Sequence, residues 1–312
     1  MAKTAQEKAD AKAEKLYKKT HKSRYKLSPG DLLFEVLNYL IFTLFTIACI
    51  FPFYYLFINT ISNNEMVLKG TINFIPRGIH FGNYTALLNV GDLSTAFLVS
   101  VSRTILGTAL MVMASALVGY LVTKQEMWGR KFWYRFLVIT MYFNAGLVPN
   151  FLLVKNLHMY NTVWALVLPG AISTWNLIVM KTAFQSVPVS LEESARLDGA
   201  NDFIILFMIF LPLSKATVAV MILFYAVGHW SSWFNAMIYL QDRAKYPLQL
   251  IMREILIANS ASGNSMADTD AMFLEEVVKY ATIVVSTVPI LFIYPFAQKY
   301  FMAGVMMGSV KE

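Results

Sequence analysis

Long apolar runs alternate with short polar connections over most of this 312-residue chain. Most of the runs reach or exceed the roughly 20 residues that a helix needs to cross a hydrocarbon core of about 30 Å. None shows the alternation in ten-residue segments that is typical of outer-membrane barrels. We therefore predict an all-α polytopic membrane protein with six transmembrane helices. The predicted spans are Val36–Ile61, Leu93–Val122, Phe136–Val154, Thr162–Met180, Phe203–Leu240 and Tyr280–Gln298.

Charged residues are nearly absent from these spans. Arg103 in the second span and Lys215 in the fifth are the only formal charges within them, and no Asp or Glu lies in any. A charge in mid-membrane is costly and suggests a functional role by default. Both side chains are long enough to reach the interface or a hydrated cavity. We therefore interpret both residues as structural or gating groups and not as ligands.

The composition supports a membrane protein, since 57% of the residues are hydrophobic and 14% are charged, against about a quarter charged in soluble domains. The net charge of +7 comes largely from a basic stretch with nine Lys and Arg in residues 1–30 and from the connection between the second and third spans. Because basic loops stay in the cytoplasm, we expect both termini there. This topology accounts for the basic residues, which can also contact lipid head groups, so we expect no nucleic-acid partner.

The connection between the fourth and fifth predicted spans has the most distinctive pattern. Ser190 and Glu193 fit a capping box at the start of a short helix, and Gly199 fits the left-handed position that ends one. Asn201 or Asp202 then suits the N-cap of the next helix. So short a helix is unstable alone in water, and we expect another protein surface to hold it. Its narrow face combines Leu191, Ser194, Ala195 and Asp198.

The same segment resembles the EAA signature of ABC-importer permeases, which reads E-A-A-x3-G-x9-I-x-L-P. Glu193-Ser194-Ala195 is followed at that spacing by Gly199, Ile209 and Leu211-Pro212, with serine for the first alanine as the one departure. Flanking segments resemble the carbohydrate-uptake branch, and in particular permeases of complex-oligosaccharide importers. These segments are residues 147–154, 161–170, 197–202, 211–215 and 225–230, and the resemblance covers about residues 33–300.

This resemblance implies the type I ABC importer permease fold in a bacterial cytoplasmic membrane, with several partners. These are a second permease subunit, two ATPase subunits and an extracellular binding protein that delivers a sugar. We expect the second permease to be a different chain, although a homodimeric pore remains an alternative. The short helix would be the coupling helix that docks on an ATPase subunit. Its expected contact residues are Ser190, Leu191, Glu192, Glu193, Ser194, Ala195, Asp198 and Gly199.

The chain has no G-x-x-x-x-G-K-[ST] phosphate loop, so we expect ATP and Mg²⁺ to bind the partner ATPase subunits. One cysteine and four dispersed histidines favour no metal site. We therefore expect a transport subunit that is not itself an enzyme and binds no cofactor. The predicted domains are a basic tail (1–32), a permease domain (33–305) with its coupling helix at about 190–199 and an extracellular loop at about 241–276, and a C-terminal end (306–312).

Sugar hydroxyls form hydrogen bonds and sugar C–H faces stack on aromatic rings, so a pathway should combine polar and aromatic side chains. Asn176 is the most informative candidate, because an amide within a span is costly unless it pairs or faces water. Tryptophans near a span end could equally anchor the chain at the membrane interface. The pathway candidates are Asn144, Trp175, Asn176, His229, Trp230, Trp233 and Asn235.

Three other functions are alternatives to a sugar importer. A permease for another small polar solute, such as a polyamine or phosphonate, remains open. A secondary transporter would be expected to show two related halves and intramembrane carboxylates, and neither is visible in the sequence. A membrane enzyme would need a catalytic constellation, and the spans contain one histidine, one cysteine and no acid.

Overall fold

The computed structural model describes residues 29–89, 93–261, 280–293 and 295, and helices joined by short connections make up these residues, as the all-α prediction required. The chain divides after Tyr54 into two compact units. The helices are α1 (Pro29–Thr60), α2 (Asn64–Leu68), α3 (Gly82–Asn89), α4 (Leu93–Leu121), α5 (Arg130–Tyr142), α6 (Leu147–Asn156), α7 (Trp164–Gly170), α8 (Thr174–Gln185), α9 (Val189–Leu197), α10 (Asp202–Leu213), α11 (Lys215–Ser231), α12 (Phe234–Tyr239), α13 (Leu248–Ala261) and α14 (Tyr280–Ile293).

Within the described residues, α1 and α4 are long and apolar enough to cross a membrane. The number rises to four if α7 with α8, and α10 with α11, each form one bent span. The bends are 55° and 87°, respectively. The prediction of six spans is therefore supported only in part, since α14 is a shorter apolar helix whose predicted continuation lies outside the described residues.

The third predicted span is not one continuous helix. It is divided between α5 and α6, because Phe143 is extended and Gly146 adopts a left-handed φ of 88°. The side-chain oxygen of Asn144 accepts the Gly146 N–H at 2.9 Å and satisfies part of the interrupted main chain. A continuous apolar run thus does not predict an unbroken helix here.

The fifth predicted span is also interrupted, by breaks at Ser214 and at Ser232. The first break follows a turn of π-helix at Leu206–Phe210 and Pro212, which has no N–H to donate to the preceding turn. Lys215 is exposed at the start of α11 immediately after this break. The apolar pattern did not reveal either break, because the residues on both sides are equally hydrophobic.

The core of the second unit forms where α4 packs against α8, α10 and α11. Met111, Met180, Ile205 and Met221 are buried together there. Gly119 brings α4 close to α8, since a Cβ at this position would lie 3.4 Å from the Met180 side chain. This packing fixes the C-terminal half of α4 relative to the helices beside it.

The segment predicted as an extracellular loop starts with ordered structure. A short 3₁₀ turn at Arg243–Lys245 precedes α13, in which Leu248, Leu250 and Ile251 are buried. The predicted loop therefore contains the helix α13 up to Ala261, and its remaining residues lie outside the described ones. The predicted tail also overlaps α1 at its last residues, while residues 1–28 and 306–312 lie outside the description.

Candidate functional site

The short helix α9 ends as predicted but starts differently. Gly199 has a φ of +83° and its N–H donates to the Arg196 carbonyl at 3.0 Å, which is the expected left-handed ending. The predicted capping box of Ser190 and Glu193 is wrong, because Pro188 occupies the N-cap and no side chain caps the helix there. Since α9 begins at Val189, Ser190 already lies within the first turn.

The start of α10 confirms one of the two predicted caps. Asn201 is its N-cap, and its side-chain oxygen accepts the Ile204 N–H at 2.9 Å. The connection from α9 to α10 is therefore short and defined at both ends by Gly199 and Asn201. Asp202, the first residue of α10, lies beside the end of α4.

A network of charged and aromatic groups fastens α9 to α4 and α10. Lys124, just after α4, forms an ion pair with Glu192 of α9, and its ammonium lies 4.0 Å from the centre of the Tyr120 ring. Glu192 also accepts hydrogen bonds from Arg196 at 3.0 and 3.1 Å. Arg196 in turn pairs with Asp202 at 2.6 Å, and Tyr120 donates to the same carboxylate oxygen at 3.0 Å.

The pair at the centre of this network is largely shielded from water. The side chains of Lys124 and Glu192 are 11% and 17% exposed, whereas that of Arg196 is 40% exposed. The pKa of Arg196 lies above its usual value, chiefly because its guanidinium donates to Glu192. Partial burial opposes this rise, and the bond to Asp202 adds to it. The network therefore holds α9 through Glu192 and Arg196 and supplies the support that so short a helix requires.

The outer face of α9 remains uncovered. Leu197 is 89% exposed, and Val189 and Leu191 are also exposed. Ala195, expected on that face, instead packs inward against the core, while Ser194 and Asp198 are exposed as predicted. Leu197 is therefore the most exposed apolar side chain that α9 offers to another protein.

A second feature is a cavity of about 310 Å³ within the second unit, where α4 meets the two bent helix pairs. Its volume is in the lower part of the ~300–1,000 Å³ range of small-ligand pockets. Three predicted pathway residues line it, namely Asn176, His229 and Asn235. Asn176 and His229 are buried, and Asn235 is exposed. The cavity also includes Arg103, which sequence analysis had assigned a structural or gating role.

The remaining pathway candidates lie elsewhere. Asn144 stabilises the break between α5 and α6, and Trp175 is exposed. Trp230 is buried against Phe97 and donates its indole N–H to the Ser286 carbonyl at 3.0 Å. The ring of Trp233 is covered by the Arg253 guanidinium at 3.2 Å. The two last tryptophans are thus occupied by intramolecular contacts.

Comparison with known proteins adds an independent observation. The chain is 38% identical to the polygalacturonan/rhamnogalacturonan transport system permease protein YtcP of Bacillus subtilis (strain 168), over 89% of this chain and 98% of that protein. The chain belongs to the carbohydrate ABC transporter permeases. The permease is also 25% identical to the arabinooligosaccharides transport system permease protein AraQ of the same organism, over 91% of this chain and 98% of AraQ.

A solved structure supports the same assignment of fold. The permease superimposes with a TM-score of 0.81 and 29% identity on a chain of a bacterial ABC transporter involved in the import of the acidic polysaccharide alginate, covering 88% of this chain and 98% of that one. No protein-family model matches the permease. Permeases of this family carry no ATPase site, in agreement with the sequence, which contains no phosphate loop.

Two functional elements of the permease were missed by sequence analysis. Lys124 was counted only as a topological charge, although its pair with Glu192 holds α9. The spacing of Glu192 and Arg196, four residues apart, is a recognisable signal for a helical ion pair and could have revealed part of the network. No comparable signal in the sequence predicts that Arg103 and Asn176 line the same cavity, because only tertiary packing brings them together.

Proposed function

We propose that this permease lines the pore of an ATP-driven sugar importer and that α9 couples it to an ATPase subunit. In this proposal the chain crosses the bacterial cytoplasmic membrane six times with both termini inside. A second permease subunit, expected to be a different chain, completes the pore, and two ATPase subunits bind ATP and Mg²⁺. An extracellular or periplasmic binding protein delivers the cargo.

The observation that carries this proposal is the geometry of α9. The helix is exposed on one face and is tied by Lys124 and Arg196 on the other, so a force applied to the exposed face passes to α4 and α10. Leu197 on the exposed face takes little part in the internal packing, because it is 89% exposed. These are the properties required of a helix that docks into a partner and transmits its movement.

An oligosaccharide is the cargo that the related proteins favour. YtcP is named for polygalacturonan and rhamnogalacturonan transport, and AraQ for arabino-oligosaccharides. The cavity lined by Asn176 and His229 offers hydrogen-bonding groups of the kind that recognise sugar hydroxyls. We propose these residues, with Asn235, as part of the translocation pathway.

The test replaces Leu197 by aspartate, with Leu197→Met as the matched control that keeps an apolar side chain of similar volume. If α9 docks on an ATPase subunit, Leu197→Asp should reduce co-purification of the ATPase and lower oligosaccharide uptake at least tenfold. Leu197→Met should remain close to wild type. Membrane insertion, measured by the amount of permease in the membrane fraction, should be equal for both. Undiminished co-purification and uptake in Leu197→Asp would contradict the proposed coupling surface.

A further inference from the structure

Arg103 is a buried cation for which the described residues supply no counter-charge. It is 2% exposed, and its Nη1 donates to the Ser232 carbonyl at 2.9 Å. Its Nε is buried without a hydrogen-bond partner in the part of the chain that the structure describes. A guanidinium has five N–H donors, so the bond to Ser232 satisfies only a small part of its capacity.

The described residues that line the cavity around Arg103 include no acid. Among the described residues that line the cavity, the polar groups are neutral amides, hydroxyls and an imidazole, from residues such as Asn176, Ser173 and His229. An unpaired charge buried in a protein costs several kcal/mol, and one in a membrane span points to function. Neutral neighbours reduce this cost but leave the positive charge uncompensated.

A purely structural role explains only one contact. Ser232 follows the last residue of α11, and a cation near a helix C-terminus stabilises the helix modestly. A lysine or a glutamine could donate the same single hydrogen bond. Arginine is distinguished by a planar fork of donors that matches a carboxylate in two parallel hydrogen bonds.

The position of the cavity is also informative. It lies beside the break between α7 and α8 and the break between α11 and α12. Interrupted helices in transporters leave main-chain groups free, and substrate sites are commonly built there. The lining residue Gly228 leaves additional open space, since a Cβ built on it has no neighbouring atom within 4 Å.

We propose that Arg103 binds the carboxylate of an acidic sugar unit, a uronate, as the cargo passes through this cavity. This inference rests on the proposed function and deepens it, because it names acidic oligosaccharides as the cargo. Arg103 supplies the charge, while Asn176 and Ser173 supply hydrogen bonds to sugar hydroxyls. One cationic contact in a small cavity also allows release, which conduction through a pore requires.

The experiment uses the permease assembled with its own partner subunits in cells, and measures uptake of trigalacturonate per assembled complex. Arg103→Lys keeps the charge, and Arg103→Gln keeps a hydrogen-bond donor for Ser232. We expect Arg103→Lys, which keeps the charge but loses the planar fork, to lose part of the uptake, and Arg103→Gln, which keeps neither, to fall at least tenfold further. If the role of Arg103 is only structural, the two variants should behave alike, and that result would overturn the proposal.

A second pair of variants tests the cavity without altering Arg103. Gly228→Asp introduces a carboxylate that competes with the cargo for Arg103, and Gly228→Asn adds the same bulk without the charge. We expect uptake of trigalacturonate to be at least tenfold lower in Gly228→Asp than in Gly228→Asn. Equal uptake would overturn the proposal, and this pair decides the question if Arg103→Gln does not assemble.

The failure of this inference is distinguishable from failure of the proposed function. Wild-type uptake of a neutral oligosaccharide such as arabinotriose, without uptake of trigalacturonate, would reject the uronate site and leave the importer intact. Uptake of neither sugar would count against both the uronate site and the proposed oligosaccharide cargo. All variants share one binding protein, so differences among them arise in the permease.

Discussion

The left-handed turn at Gly199 gives the sharpest test of how α9 is shaped. With φ at +83°, the residue lies in a region that costs an L-amino acid about 1–2 kcal/mol and is a clear outlier for a β-branched one. A Cβ there would meet no atom of the described residues within 4 Å, so the cost of Gly199→Val is conformational and not steric. The substitution would disfavour the turn that ends α9, in which the Ala200 N–H donates to the Ala195 carbonyl at 2.9 Å.

A cost of 1–2 kcal/mol corresponds to a factor of about 5–30 in the population of the correctly shaped α9. We therefore expect Gly199→Val to lower ATP-driven oligosaccharide uptake, and co-purification of the ATPase subunits, by roughly that factor. Gly70→Val is the matched control, because Gly70 has a φ of +64° and equally open surroundings but lies away from α9. Equal losses in both variants would mean that general destabilisation, and not the shape of α9, is responsible.

Two further substitutions test the internal packing and the network beneath α9. Gly107→Ala should lower the melting temperature of the detergent-purified permease by overpacking, at a cost of about 1–3 kcal/mol, because its Cβ would collide with the His229 ring. His229→Ala should relieve this loss, and additive losses in the double variant would refute the contact. For the ion pair, we expect Lys124→Met and Glu192→Gln to show a coupling energy of about 1–2 kcal/mol in a double-mutant cycle that measures ATPase binding. The coupling is substantial because both side chains are mostly buried, and it is limited because each keeps other partners when the pair is broken. Additivity within about 0.5 kcal/mol would show that the pair does not support α9.

Local signals in the sequence predicted the parts of α9 that depend on the backbone of a few residues. Gly199 at the helix end and Asn201 at the next N-cap both follow from short-range geometry, and both are found. The capping box failed because Pro188 starts the helix earlier, with its φ fixed near the value observed. The helix start set by the preceding proline therefore prevailed over the start that the two polar residues favour.

Signals that depend on distant residues were weaker. Asn176 and His229 were expected to face an interior surface, and they line the cavity together. The chain breaks at Ser214 and Ser232 could not be predicted from apolar periodicity, because lipid-facing and buried sides of a span are equally hydrophobic. These breaks determine where Arg103 lies, so its surroundings emerge only from the packed structure.

The helix α4 connects the two proposed sites, and its continuity gives this arrangement a physical meaning. Arg103 and Tyr120 lie on α4 about 25 Å apart, at a rise of roughly 1.5 Å per residue. Between them, α4 is fixed to α11 by the hydrogen bond of 2.7 Å between the hydroxyls of Ser115 and Tyr225. The neighbouring pairs α7–α8 and α10–α11 are bent by 55° and 87°. Under the proposed coupling, a pull on α9 therefore acts on one end of α4 and on the nearby bend between α10 and α11, while the bend between α7 and α8 lies beside the cavity towards the other end.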